Sequence, residues 1–216
     1  MNPNPLAVKI LCYGDSNTWG QKPDRTGRYD ANVRWTGVLQ SLLGDDYYVV
    51  EEGLGSRTTD LDYDQKPGRN GKTYLIPCLG SHTPIDIVIM MLGTNDLKIQ
   101  YGRSADDIAQ SINGLVTDIK QYAQDKNGGT PNIILVSPIY IDEKAPRFYE
   151  FYTDYYDERA MQESHKLAAA ISKVANQTGC KFVDAAAVAI PGEDGIHFSL
   201  ESEAPFAKLL KDTIQI

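Results

Sequence analysis

The sequence predicts an α/β protein, a three-layer α/β/α sandwich built on a five-stranded parallel sheet. Three observations carry this. Strand-like and helix-like segments alternate along most of the 216 residues. The most apolar strand, Ile85–Leu92, is hydrophobic nearly throughout, as expected of a parallel strand covered on both faces. The composition, 42% hydrophobic and 23% charged, is that of a folded globular chain. We expect a single domain over residues 1–216, long enough for one sizeable core.

The elements follow in order. Ala7–Tyr13 reads as the first strand. Trp35–Leu43 has apolar residues at helical spacing and stops at Gly44, a good helix end. Tyr47–Glu51 reads as the second strand, and Ile85–Leu92 as the third. Ala105–Tyr122 follows as a helix, with Ser104 as N-cap and Asp107 completing a capping box. Asn132–Ser137 is the fourth strand, Arg159–Thr178 a long helix ended by Gly179, and Lys181–Asp184 a short fifth strand. A last helix runs from about Ser202 to Thr213. Lys66–Lys72 carries three positive charges broken up by Gly and Pro, and reads as an exposed loop.

Charge and composition exclude several partners. With 21 basic and 29 acidic residues the net charge is −8, which argues against nucleic-acid binding. No apolar run approaches the roughly 20 residues that span a bilayer, so no membrane partner is expected. Met1–Lys9 has two prolines and no apolar core of a secretory signal. Cys12, Cys78 and Cys180 are too few and too scattered for a disulfide framework or a zinc site, and Cys12 reads as core. A cytoplasmic location and no metal or cofactor are the expectations.

In parallel α/β sheets, ligands bind outside the carboxyl ends of the strands. Four segments fall on that rim. Gly14-Asp15-Ser16-Asn17 follows the first strand; its Ser is either a helix cap or a raised hydroxyl. Gly53–Thr59 follows the second, with small residues that let backbone N–H groups face an anion. As a dinucleotide fingerprint this loop lacks its third glycine, with Thr58 in that place. Gly93-Thr94-Asn95-Asp96 follows the third strand; Asn95 either caps a turn or aims its amide at developing negative charge. Asp194-Gly195-Ile196-His197 precedes the last helix. Of the three histidines, His165 reads as a solvated helix residue and His82 as the end of a helix. His197 alone has a carboxylate three residues earlier in a glycine-containing loop, a spacing that lets Asp194 fix its tautomer. A hydroxyl, an amide, free N–H groups and an Asp/His pair are together the parts of an acyl-transfer site.

These four segments resemble the four blocks of the SGNH/GDSL hydrolases, in the family's order, over residues 8 to 197. The strings Asp15–Gly20, Val33–Gly37, Glu51–Leu54 and Arg57-Thr58-Thr59 are similar to the bacterial arylesterase/acyltransferase branch. The resemblance implies the flavodoxin-like SGNH hydrolase fold and a serine esterase without a metal. Ser16 would be the nucleophile, His197 the base, and Asp194 its orienting carboxylate. The oxyanion hole would be the N–H groups of Ser16 and Ser56 with the Asn95 amide. Asp15, Asn17, Gly55, Thr94, Lys98 and Ile196 would contact a small-molecule ester. Asn17 departs from the family's usual Leu, and Ser56 stands where many members carry Gly. The α/β-hydrolase string G-x-S-x-G is absent.

Arg147–Tyr156 holds six aromatics in ten residues. It reads as a pocket wall, a subunit interface or local core, and we expect a homo-oligomer whose interface narrows the site. Short-chain ester hydrolysis, with acyl transfer to alcohols in a narrow apolar site, is the expected chemistry. The alternatives are a carbohydrate O-acetylesterase, a lysophospholipase or thioesterase, and a binding module without turnover.

Overall fold

The computed structural model describes residues 4–125 and 129–214; the first three residues of the Met1–Lys9 stretch lie outside it. Five parallel strands form one sheet: β1 (Val8–Gly14), β2 (Tyr47–Gly53), β3 (Ile87–Met91), β4 (Asn132–Ser137) and β5 (Lys181–Asp184). Their order is β2-β1-β3-β4-β5, so the winding reverses between β1 and β3. That is the flavodoxin-like order, and its switch point is where ligands bind.

Alternate β1 side chains feed two cores. Leu11 and Tyr13 join Val88 and Met90 on one face; Ile10 and Cys12 join Ile87, Ile89 and Met91 on the other. The first face is covered by α3 (Gly71–His82), α4 (Ala105–Asp125) and α7 (Leu167–Thr178), the second by α2 (Trp35–Leu43) and α8 (Leu200–Ile214). Trp35 of α2 meets Phe206 of α8 edge-on at 5.2 Å. The other α-helices among the described residues are short: α1 (Ser16–Trp19), α5 (Phe148–Tyr152) and α6 (Glu158–Ser164).

Most boundaries fall within two or three residues of the sequence reading, and the Ser104–Asp107 capping box forms in both directions. Two elements differ in kind. The long helix expected over Arg159–Thr178 is two helices, broken at His165 and Lys166. Buried Ser164 explains the break: its hydroxyl donates to Met161 O at 2.6 Å and accepts from Ile141 N at 3.2 Å, drawing the chain to a loop. Helix α3 has no apolar stripe and contains Pro77 and Gly80, so its sequence gives only its end, His82. It takes in Lys72 from the expected loop, and Asn70 caps it by accepting from Thr73 N at 3.2 Å. His165 is exposed and stacks on Tyr140 at 4.3 Å.

Candidate active site

Strand register gathers three turns at the switch point. Gly14 of β1 lies opposite Gly53 of β2 and Met91 of β3, so the segments leaving these positions emerge side by side. Helix α1 crosses directly over the sheet end, where a Cβ on Gly53 would lie 2.1 Å from Trp19 N. Only glycine permits that approach.

Asp15, not Ser16, caps α1: its carboxylate accepts from Asn17 N at 2.9 Å. Ser16 is thereby the first helical residue. Its Oγ lies 2.8 Å from His197 Nε2, and His197 Nδ1 lies 2.6 Å from Asp194 Oδ2. The other Asp194 oxygen accepts from Ile196 N at 3.0 Å and His197 N at 2.9 Å, which folds the loop back on itself. Gly195 sits in that loop at φ 76°. Asn17 pins it to α1, donating to Ile196 O at 3.1 Å and accepting from Phe198 N at 2.9 Å. Burial by itself would raise the Asp194 pKa; the hydrogen bonds and charge of His197 outweigh it and hold the carboxyl below its ordinary value. Burial pushes Asp15 up to about 6, against the opposing Asn17 N–H and His197.

The 53–59 loop is fastened on both sides. Buried Arg57 donates to Gly14 O at 2.8 Å and also to Glu52 O, with its guanidinium 4.2 Å from the Tyr13 ring centroid. Thr59 donates through its hydroxyl to Asp96 Oδ1 at 2.5 Å and through its N–H at 3.1 Å. Between these anchors Ser56 adopts φ 67°, a left-handed conformation that glycine takes without strain. Among the described residues, the N–H groups of Ser16 and Ser56 meet no protein acceptor. The Asn95 amide makes one long contact, 3.4 Å to Asp15 Oδ2.

The strings beyond the four blocks are structural ties. Arg34 grips Glu51 with two hydrogen bonds of 2.6 Å, Thr36 bonds the same carboxylate, and Trp35 Nε1 donates to Asn17 O at 2.9 Å. They lock α2 to β2 and to α1.

A cavity of about 490 Å³ opens over Ser16, Asn95 and His197. Gly55, Ser56, Lys98 and Ile196 line it; Asp15, Asn17, Thr94 and Asp194 do not, and lie buried behind its wall. The aromatic segment does two jobs. Phe148, Tyr152 and Tyr156 are core, while Phe151, Tyr152, Tyr155 and Tyr156 also face the cavity; Tyr149 is exposed. Tyr152 is the residue sequence reasoning did not single out. Its hydroxyl donates to Asp194 Oδ2 at 3.2 Å, lies 3.4 Å from His197 Nδ1, and accepts from Arg25 at 2.7 Å. Burial, and then Asp194, raise its pKa, so the phenol keeps its proton. Its only sequence signal was membership of an aromatic-rich run. Trp19 lay within the Asp15–Gly20 string, and Arg25 and Tyr63 had no signal.

Among the described residues, Glu52, Cys78 and His82 form one group whose ligating atoms lie within 4.8 Å of one another. None lines the cavity, and His82 Nε2 is already 2.7 Å from Glu52 Oε1. No described helix is long and apolar enough to cross a membrane.

Comparisons with known proteins give the family and the fold. Residues 12–202 match the model of the GDSL-like lipase/acylhydrolase family. The aryl esterase of M. smegmatis is 38% identical, with a TM-score of 0.87 over 97% of this chain and 99% of that one. Est24, a carbohydrate acetylesterase from Sinorhizobium meliloti, is 33% identical at a TM-score of 0.87, over 96% of this chain and 98% of that one. An acetylxylan esterase of Xylanibacter ruminicola is 30% identical over 155 residues; the match spans 63% of this chain but 29% of that longer protein. The sheet order, the parts gathered at its switch point and these matches lead to one conclusion: the chain belongs to the GDSL-like lipase/acylhydrolase family, a family of carboxylic ester hydrolases.

Proposed function

We propose that the protein is a serine esterase acting on short-chain, acetyl-type esters through an acyl-enzyme. The observation that carries this is the hydrogen-bonded chain Ser16–His197–Asp194, whose Ser16 and His197 line the cavity. Ser16 Oγ attacks the ester carbonyl while His197 Nε2 accepts its proton. Asp194 fixes the tautomer and steadies the imidazolium, itself held by Tyr152. The oxyanion is met by the N–H groups of Ser16 and Ser56 and by the Asn95 amide, each worth about 3 kcal/mol of barrier by analogy with measured donors. His197 returns the proton to the leaving alcohol. A water, deprotonated by His197, then releases the acid and regenerates Ser16.

The test is hydrolysis of p-nitrophenyl acetate by wild type and Ser16→Ala, repeated with a long-chain ester. We expect activity on the acetate to fall by about 10⁴-fold or more in the variant. Equal rates would reduce Ser16 to a helix residue and end the reading. Comparable rates on the long chain would end its short-chain part.

A second reading, a carbohydrate O-acetylesterase, is favoured by similarity to Est24 and by the tyrosines facing the cavity. Turnover of acetylated sugars well above that of aryl acetates would select it. Acyl transfer belongs to the proposal because aromatic walls partly exclude water; added alcohols yielding no ester would remove it. Self-association is proposed too, and a monomer by light scattering at micromolar concentration would refute it.

A further inference from the structure

The chain carries a net charge of −8, yet four cations line the cavity over Ser16: Arg25, Lys66, Arg69 and Lys98. No Asp or Glu is among the described residues of its wall. Of the other arginines, Arg28, Arg34, Arg103, Arg147 and Arg159 are paired with carboxylates, and Arg57 is spent on backbone carbonyls. Among the described residues, these four cations have no such carboxylate partner. Lys98 is only 5% exposed, and no carboxylate lies within ion-pair distance of it among the described residues. Its ammonium is 4.6 Å from the Tyr63 ring centroid and 5.7 Å from that of Tyr155. Arg69 Nε is buried without a partner, and its Nη1 reaches only Pro67 O at 3.2 Å. Lys66 Nζ makes one long hydrogen bond, 3.4 Å to Ser56 Oγ, and lies 5.9 Å from the Tyr63 ring centroid. Arg25, held at φ 65°, donates to Tyr152 and faces the rings of Phe151 and Tyr152.

A buried, unpaired ammonium is costly, and ring faces offset only part of that cost. Neighbouring cations add to it. Such an arrangement stands ready for an anion that enters the cavity with the substrate. We infer that the preferred substrate is an ester whose alcohol part carries a carboxylate or similar monoanion, anchored by Lys98 and met at the cavity wall by Lys66, Arg69 and Arg25. The inference rests on the esterase reading of the same site and adds its substrate class. Burial, aided by Lys66 and Arg25, pulls the Lys98 pKa down to about 8, against Asp15 and Asp96 behind it. The anchor is therefore charged at neutral pH, and a bound anion strengthens that charge.

The test uses 3- and 4-acetoxybenzoate beside their neutral methyl esters, each rate divided by the rate of hydroxide-catalysed hydrolysis. With wild type, kcat/KM for at least one carboxylate should exceed that of its methyl ester by about tenfold or more, chiefly through KM, as for a charge-assisted hydrogen bond. Lys98→Gln should bring the ratio close to one, and Lys98→Arg should restore part of it. A general electrostatic effect on the oxyanion would slow both esters alike and leave the ratio unmoved; that outcome overturns the inference. A second arm needs no turnover: calorimetry of Ser16→Ala with 4-acetamidobenzoate and its methyl ester. Tighter binding of the carboxylate, lost in Ser16→Ala/Lys98→Gln, supports the anion subsite. Hydrolysis of both esters without carboxylate preference in either arm discards the subsite and keeps the esterase. Carboxylate binding without hydrolysis of any ester discards the esterase and keeps the subsite.

Discussion

The two ends of the sheet each hold a cavity, and they are built differently. At the amino end, about 330 Å³ is lined largely by apolar residues such as Leu79, Ile85, Ile119 and Ala123. Polar groups there tie strands and helices together: Asp86 accepts from Lys9 N at 2.7 Å, and Lys9 Nζ donates to His82 O at 2.9 Å. At the carboxyl end, Ser16, Asn95, Lys98 and His197 are buried yet face the 490 Å³ cavity. The described non-glycine residues with positive φ, Arg25 and Ser56, both line this end. Strained backbone of this kind clusters at functional sites, and the residues around the amino-end cavity show none.

Variants at the two ends should separate accordingly. Beyond Ser16→Ala, the largest expected effect is that of Asn95→Ala, a loss of about 10²–10³ in kcat on p-nitrophenyl acetate with little change in KM. A purely structural Asn95 would lower the melting temperature and leave kcat standing. Leu79→Ala at the amino end should do the reverse. Removing this buried side chain should cost about 2–5 kcal/mol in urea unfolding while kcat/KM stays near wild type; a comparable loss of activity would erase the contrast.

A third prediction concerns the contact between α2 and α8. Glu203 accepts from Trp35 N at 2.6 Å, and its other oxygen is buried without a partner. Burial raises its pKa from 4.5 to about 8. The folded chain therefore keeps this proton up to about pH 8, while the unfolded chain releases it near 4.5. Stability falls as pH rises through that window. Asp15, raised to about 6, and Asp96, raised to about 7, act in the same direction. Melting curves from pH 5 to 9 should show the decline, and Glu203→Gln should flatten it; an equally steep slope in the variant would remove Glu203 as a cause. The smallest effect is expected of Ser56→Gly. Relief at φ 67° should add up to about 1 kcal/mol of stability and keep kcat within a few-fold, since the backbone donor remains. A large loss of activity would mean that the Ser56 side chain takes part.

The segments that lie at the carboxyl rim were legible because each carries residues of limited structural use in that combination. Asp194 and His197 are three apart in one loop, and Gly14-Asp15-Ser16 ends an apolar strand. Helix α3 was legible only at its end, His82, because Pro77 and Gly80 interrupt it and its burial comes from neighbours rather than from an apolar stripe. The break between α6 and α7 was hidden for a different reason. Ser164 turns the chain by bonding Ile141 N, a partner 23 residues away.

The sequence by itself determined the layers, the parallel sheet and the segments on its rim, since those depend on periodicity and on local turn chemistry. Only the tertiary structure decided what those segments face. It set Ser16 at 2.8 Å from His197 across 181 residues, put Tyr152 beside Asp194, and gathered Arg25, Lys66, Arg69 and Lys98 around one cavity. Such meetings follow from strand register and winding order, which are settled by the packing of the whole chain and by no local stretch of it.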